Sequence, residues 1–374
     1  MHIGIDLTCL YTFFDGGKDQ VIFNLLKGFR ELGHERELFV FAYDYTELML
    51  RQQLPNANTI ILKRSRIRKA VQDVWIHSVS FSKYIKDNRL QLVFFPKPNA
   101  NFKRFRIPTI ILPHDTQFRS FPERFTLIEH IKGHLLYDNA FRLRDRIIAI
   151  SAYDAGEIRK YYPRRKEKVV MIHNPIDFFR ESDASSPSLD IPKPFIMTVN
   201  IAYPQKNTMT LLKAFHAIAH RIPHRLVLVG RMYDEENELT RYVKENQLKE
   251  KVLFTGRIED SDLIQLLKNC ALYVNPSRYE GFGMTPIEAM GMKVPVLSSV
   301  ETALRETTKG LARYYEPADN PFILSEGIMR LLENPPDEEE LERNKKAVVE
   351  AYHYKKIAEQ YWKLFTSVIE GGAP

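Results

Sequence analysis

Cysteine is almost absent. The 374 residues contain two, Cys9 and Cys270, too few and too far apart for a disulfide framework or a cysteine-based metal site. Both are expected as free thiols. No apolar run approaches the roughly 18 residues that would span a bilayer, and Asp6 interrupts the first apolar stretch, unlike the basic-then-apolar order of a secretory leader. A cytoplasmic protein is expected. No His/Cys cluster has metal-ligand spacing and no Asp-x-Asp pair closes a strand, so neither a metal nor a cofactor is implied. A complete G-x-G-x-x-G is missing after the first strand, which counts against a Rossmann oxidoreductase. Internal repeats, low-complexity tracts and heptads are missing too.

What is present suits two domains, since the length exceeds one ordinary core and 44% of residues are hydrophobic. Through residue 185 the chain carries 30 Lys+Arg against 21 Asp+Glu, which leaves 24 against 26 of the totals of 54 and 47 for the remainder. The basic first half, with clusters at Lys63-Arg64, Arg66, Arg68-Lys69 and at Lys103-Arg104, Arg106, points to an anionic partner such as a membrane surface or nucleic acid. Scattered surface charge is the plainer reading of the same numbers. Residues 68–84 are amphipathic, with Val71, Val74, Trp75 and Val79 beside basic groups. They suit interface docking or, more simply, packing of the first domain.

Short β-branched runs alternate with longer amphipathic stretches, the pattern of parallel sheets covered by helices. Strands are predicted at His2–Asp6, Glu37–Tyr43, Thr59–Lys63, Leu92–Pro96, Thr109–His114, Arg146–Ser151 and Val169–Asn174. After a Ser/Pro-rich linker over Glu181–Pro194 they resume at Phe195–Asn200, Arg225–Gly230, Val252–Gly256, Ala271–Pro276 and Pro295–Ser299. The fold class is α/β, two doubly wound domains over residues 1–185 and 186–350, with a C-terminal helix in 351–374 packing back toward the first domain.

The most informative segment follows the predicted strand Ala271–Pro276. It is a loop with Gly281 and Gly283 running into Thr285-Pro286, a good helix start with proline first. Exposed amides and the positive end of a helix make such a turn a phosphate site. Glu280 and Glu288, with seven residues between them, suit sugar hydroxyls better than phosphate, because a diol gives a carboxylate two donors. Glu288 has a second reading: Thr285-x-x-Glu288 fits a capping box, in which the glutamate only satisfies backbone.

The stretch Ser277-Arg278-Tyr279-Glu280-Gly281-Phe282-Gly283-Met284-Thr285-Pro286-Ile287-Glu288-Ala289-Met290, with Val294-Pro295-Val296 after it, resembles the signature of the retaining glycosyltransferase family 4. Pro204-Gln205-Lys206-Asn207 is similar to that family's phosphate-binding lysine loop, residues 252–260 to its base-proximal loop, Asn174-Pro175-Ile176-Asp177 to the end of its first domain, and Asp15-Gly16-Gly17 to the glycine loop under the donor diphosphate. The resemblance implies a GT-B fold, two Rossmann-like domains facing a cleft, and a nucleotide-sugar donor. It implies Glu280 and His114 as catalytic and Asp115 on the acceptor side. Donor binding would fall to Gly16, Gly17, Lys206, Arg231, Arg257, Ile258, Gly281, Phe282, Gly283, Met284, Thr285 and Glu288. One departure stands out: many members carry an arginine five residues before the lysine, and Ile201 occupies that place, leaving Arg231 and Arg257 as substitutes.

The reaction so implied is retaining, metal-independent transfer of a hexose or deoxyhexose, from a donor such as GDP-mannose or dTDP-rhamnose, to a glycan or lipid-linked acceptor in surface polysaccharide synthesis. Peripheral attachment to the inner face of the plasma membrane goes with it. A nucleotide-sugar epimerase or phosphorylase of the same fold, and a basic nucleic-acid-binding protein, are the rivals; no nucleic acid partner is expected.

Overall fold

A computed structural model describes residues 1–10, 16–63, 75–99, 103–122, 125–178, 189, 191–199, 201, 203–232 and 236–371. The chain divides into two compact units, Met1–Ile176 with Tyr352–Pro374, and Asp177–Ala351. Most of the Ser/Pro-rich linker stretch lies outside the described residues, as do Asp15, Arg64, Arg66, Arg68, Lys69, Val71 and Val74.

The first unit is built on seven parallel strands: β1 Ile3–Asp6, β2 Leu38–Tyr43, β3 Asn58–Leu62, β4 Leu92–Phe95, β5 Thr109–Ile111, β6 Arg146–Ala149 and β7 Val169–Met171, in spatial order β3-β2-β1-β4-β5-β6-β7. The strands are nearly continuous apolar runs, as expected of a sheet covered on both faces. Alternate residues serve the two faces. Phe41, Tyr43, Val93, Phe95, Ile147 and Ala149 meet one layer of helices, while Phe94 packs against Tyr361 and Phe365 of the terminal helix Tyr354–Ile369. That helix also lies along Gly17–Glu31. A Cβ on Gly28 would stand 2.5 Å from the Ala358 Cβ, so glycine permits the close approach.

The second unit repeats the plan with six parallel strands: β8 Phe195–Val199, β9 Arg225–Val229, β10 Val252–Gly256, β11 Leu272–Asn275, β12 Val296–Ser299 and β13 Arg313–Tyr315, in order β10-β9-β8-β11-β12-β13. The two doubly wound domains read from the sequence are therefore present. β13 escaped sequence reading because it is three residues long and only Tyr315 is buried. β5 stops at Ile111, short of the predicted His114, because Pro113 has no N–H for the ladder and His114 turns into the left-handed region at φ 71°.

In each sheet the chain winds outward in one direction and then restarts in the other. The reversal falls between β1 and β4 in the first unit and between β8 and β11 in the second. Beside such a switch point the connections leave on opposite faces, opening a crevice at the carboxyl ends of the strands.

Candidate active site

In the second unit parallel pairing lines up the loops that leave the strands. Arg257 follows β10, Arg231 follows β9, Lys206 follows β8, Glu280 follows β11 and Thr302 follows β12. Lys206 and Glu280 flank the switch point, and the Lys206 Nζ donates to Glu280 Oε1 at 2.6 Å with both side chains largely buried. Ser277 Oγ donates to the same oxygen at 2.9 Å. Asn207 secures the arrangement. At φ 56° it directs Nδ2 to the carbonyl oxygens of Pro276, at 3.1 Å, and Ala318, at 3.0 Å. The Arg278 amide adds a bond to Gln205 O at 2.8 Å. The loop after β8 is thus pinned to the loop after β11, which is why residues 74 positions apart form one ion pair.

Ile201 is buried in the core of this unit and supplies nothing polar to the site through its side chain. Arg231 and Arg257 are both exposed, on loops tied by the Gly230 amide donating to Gly256 O at 3.0 Å; Ile258, next to Arg257, is half-buried.

The glycine loop ends differently from its sequence reading. The helix Met284–Gly291 starts at Met284, its N-cap is Gly283 at φ 82°, and no side chain caps it. Thr285 is therefore the second helical residue and cannot be the cap of a Thr285–Glu288 box, and Pro286 falls third, where a missing N–H still costs nothing. The left-handed turn at Gly283 brings the helix forward. A Cβ there would meet Leu304 Cδ2 at 2.7 Å, so both space and conformation demand glycine. Gly281 is half-buried and Phe282 buried, with the Phe282 carbonyl accepting from Thr307 Oγ1 at 2.6 Å. Glu288 is buried one turn into the helix. Tyr273, inside β11, was missed by sequence reading because it reads as a core aromatic. Burial, followed by the charges of Glu280 and Glu288, pushes its phenol far up, so it stays neutral beside both carboxylates.

In the first unit Gly16, at φ 102°, is the N-cap of the helix Gly17–Glu31, its carbonyl accepting from the Asp19 and Gln20 amides at 3.1 and 3.3 Å. The Lys18 Nζ lies 3.1 Å from Asp115 Oδ2, which brings the glycine turn and His114-Asp115 together. Burial, reinforced by the charges of Lys18 and Lys97, holds the His114 ring well below the usual histidine range. His114 Nε2 lies 2.8 Å from Pro96 O, an oxygen that only accepts, so Nε2 carries the proton and Nδ1 is left as an acceptor. Three further groups went unnoticed. Lys97, just after β4, pairs with buried Asp19. Asp6, closing β1, accepts from His77 Nε2 at 2.9 Å, Thr8 Oγ1 at 2.7 Å and Asn99 Nδ2 at 2.6 Å. Burial pushes the Asp6 carboxyl up, but the His77 ring and these donors outweigh it and hold it low. Asp154, after β6, is pushed up to about 7 by burial. Single acids and lysines at strand ends carry no spacing signal, which is why only the fold reveals them.

Residues 15–180 match the family Glycosyltransferase Family 4, and residues 179–348 match Glycosyl transferases group 1. The chain belongs to glycosyltransferase family 4. Among relatives, the family 4 chain is 26% identical over 338 residues to the serotype-specific mannosyltransferase WbdA of Escherichia coli, covering 85% of this chain and 39% of that protein. It therefore spans about two fifths of that relative's length. It is 25% identical over 287 residues to the O-antigen chain mannosyltransferase RfbU of Salmonella typhimurium, covering 76% of each. Among solved structures it resembles Anabaena HepE in complex with UDP and glucose, with TM-score 0.72 and 17% identity over 98% of this chain and 100% of that one. WaaG, a glycosyltransferase involved in lipopolysaccharide biosynthesis, follows with TM-score 0.67 and 13% identity over 99% and 100%. These likenesses carry the fold, which is GT-B.

Proposed function

We propose that this family 4 chain transfers a hexose from a nucleotide sugar to a glycan or lipid-linked acceptor during surface polysaccharide synthesis, with retention at the anomeric carbon and without a metal. The observation that carries the reading is the Lys206–Glu280 pair at the switch point of the second sheet, beside a helix N-terminus that no side chain caps. As the bond from the anomeric carbon to the donor diphosphate breaks, negative charge grows on the leaving oxygen. Lys206, the amides around Gly283–Thr285 and the positive end of that helix are arranged to receive it. Arg231, just after the strand next to the one that delivers Lys206, is our choice for the second cation. Both hydrogen bonds that the Glu280 carboxylate accepts from described residues land on Oε1, which suits Oε2 to accept from a donor-sugar hydroxyl. Glu288, buried one turn into that helix, takes the ribose diol. The acceptor hydroxyl attacks from the same face as the departing diphosphate, and its proton passes to a phosphate oxygen of the donor.

GDP-mannose is the donor we favour, because WbdA, RfbU and the mannosylfructose-phosphate synthase of Agrobacterium fabrum, 28% identical over 200 residues, are named for mannosyl transfer or its product. Titrating GDP-mannose, dTDP-rhamnose and UDP-glucose against thermal stability tests this, since a ligand of the native state raises the melting point. GDP-mannose should raise it most, and transfer should persist in EDTA with retained configuration in the NMR spectrum of the product. No response to any nucleotide sugar would sink the reading.

For membrane attachment we propose an anionic lipid surface met by the first unit. Trp75 and Val79 do not pack this unit, as the simpler sequence reading had it: both are more than half exposed. So are Leu127, Ile128, Ile131 and Leu135, which span one face of the helix Leu127–Leu143, while His130, His134 and Tyr137 turn another face to Phe118. Ile76 and Phe81 share a core with Ala140 and Phe141, so both helical segments cover the same side of the sheet. Apolar side chains standing out of a basic domain fit a negatively charged interface. The purified protein should bind vesicles containing phosphatidylglycerol at low salt, and Ile131→Ser with Leu135→Ser should weaken binding about tenfold. Equal binding to neutral vesicles, or none at all, would remove this proposal.

A further inference from the structure

Thr302, in the loop after β12, adopts φ 54°. A β-branched residue is the least suited to that region, since its branched Cβ crowds the following carbonyl. The other described residues at positive φ are Gly, Arg, His, Asn, Gln and Lys. The Thr302 side chain is the reason to keep it there. Its Oγ1 donates to Glu280 O at 2.8 Å and accepts from Glu280 N at 2.9 Å, closing both backbone groups of that residue with one hydroxyl. Glu280 and Thr302 leave the paired strands β11 and β12, where Asn275 lies opposite Ser298, so a rigid ladder sits directly beneath the contact. Glycine would relieve the conformation but bring no hydroxyl.

We propose that Thr302 is a positioning residue: it clamps the Glu280 backbone so that the carboxylate reaches Lys206 and the donor sugar in one geometry, at the cost of local strain. The assignment rests on the proposed role of Glu280 in sugar transfer. Unlike the Thr307 bond to Phe282 O, which any buried loop could use to satisfy a carbonyl, the Thr302 contact holds the residue that supplies the carboxylate of the ion pair.

Three variants separate the clamp from simple structural support. Thr302→Ser keeps the hydroxyl, Thr302→Val keeps the β-branched strain without it, and Thr302→Gly has neither. Three quantities are measured: amide hydrogen exchange at Glu280, melting temperature, and kcat and KM for GDP-mannose. Exchange at Glu280 should quicken at least about tenfold in both Val and Gly variants and stay near wild type in Ser. The Gly variant should melt about 2–4 °C above the Val variant. Even so, kcat should fall about tenfold or more in both, because a misplacement of about 1 Å at the chemistry is expensive in rate. Unchanged Glu280 exchange in the Val and Gly variants overturns the clamp. So does a kcat that follows melting temperature instead of the hydroxyl. If the wild-type protein transfers no sugar, the proposed function falls while exchange and melting still decide the clamp.

Discussion

The two sheets share one winding plan, yet their carboxyl edges carry different chemistry. In the second unit cations and carboxylates from neighbouring strand ends converge across the switch point, and the backbone is bent out of its ordinary range at Asn207, Gly283 and Thr302 to hold them there. In the first unit the edge is self-satisfied: Lys97 with Asp19, Lys18 with Asp115, His77 with Asp6. Both edges pair lysines with carboxylates, but in the second unit the exposed arginines Arg231 and Arg257 follow the neighbouring strands and add positive field. The difference teaches that the doubly wound plan decides where a site lies, while the side chains at the strand ends decide what it can hold.

The largest effect expected from this contrast is on rate. Lys206→Ala should lower kcat about 100- to 1,000-fold, the loss typical of removing a preorganised group at developing charge, whereas Lys97→Ala in the first unit should cost about tenfold or less. Steady-state transfer assays check both, and equal losses would erase the distinction between the edges.

Next in size is a stability contrast between two left-handed glycines. Gly283→Ala must meet both φ 82° and Leu304 at 2.7 Å, and should cost about 3 kcal/mol. Gly16→Ala meets nothing within 4 Å among the described residues and should cost about 1 kcal/mol from conformation alone. Denaturant unfolding separates them.

The third prediction concerns pH and belongs to the first unit. Asp154 has a folded pKa of about 7, raised by burial above its unfolded value. A raised acid contributes its stability below the unfolded pKa, near about 3.9, and loses it as pH climbs through the folded one. Melting temperature should therefore fall between about pH 5 and 8, by the equivalent of about 2 kcal/mol, and Asp154→Asn should flatten that fall. A variant that keeps the wild-type slope would show that Asp154 is not its source.

The smallest effect tests Glu288. Glutamine keeps the size and polarity of the buried Glu288, so Glu288→Gln should change the melting temperature little and weaken donor binding about tenfold, the loss of one charge-assisted bond. Calorimetric titration with GDP-mannose measures it, and undiminished affinity would take Glu288 out of the site.

Much of this was legible in the residues themselves. Apolar runs of strand length and their turn residues located all but one strand, because parallel strands buried on both faces leave continuous β-branched tracts. The glycine loop stood out by its glycines before a helix start, and the glutamate pair and the lysine loop by their resemblance to family 4. Helix capping was not legible. The Thr285-x-x-Glu288 spacing satisfies a box, and only the left-handed turn at Gly283 shows that the helix starts too early to use it. Likewise Trp75 and Val79 fit a buried stripe by period, although the fold leaves them in solvent.

The sequence by itself determined the two-domain α/β plan, the family and the loop that carries Glu280, because local pattern and spacing are short-range properties of the chain. Tertiary structure alone decided which distant residues share an edge: Lys206 with Glu280, Thr302 with the Glu280 backbone, Lys18 with Asp115, Asp6 with His77. The physical reason is that strand order, not sequence order, sets neighbours in a sheet, and a hydrogen bond or ion pair reports distance in space that no spacing along the chain encodes.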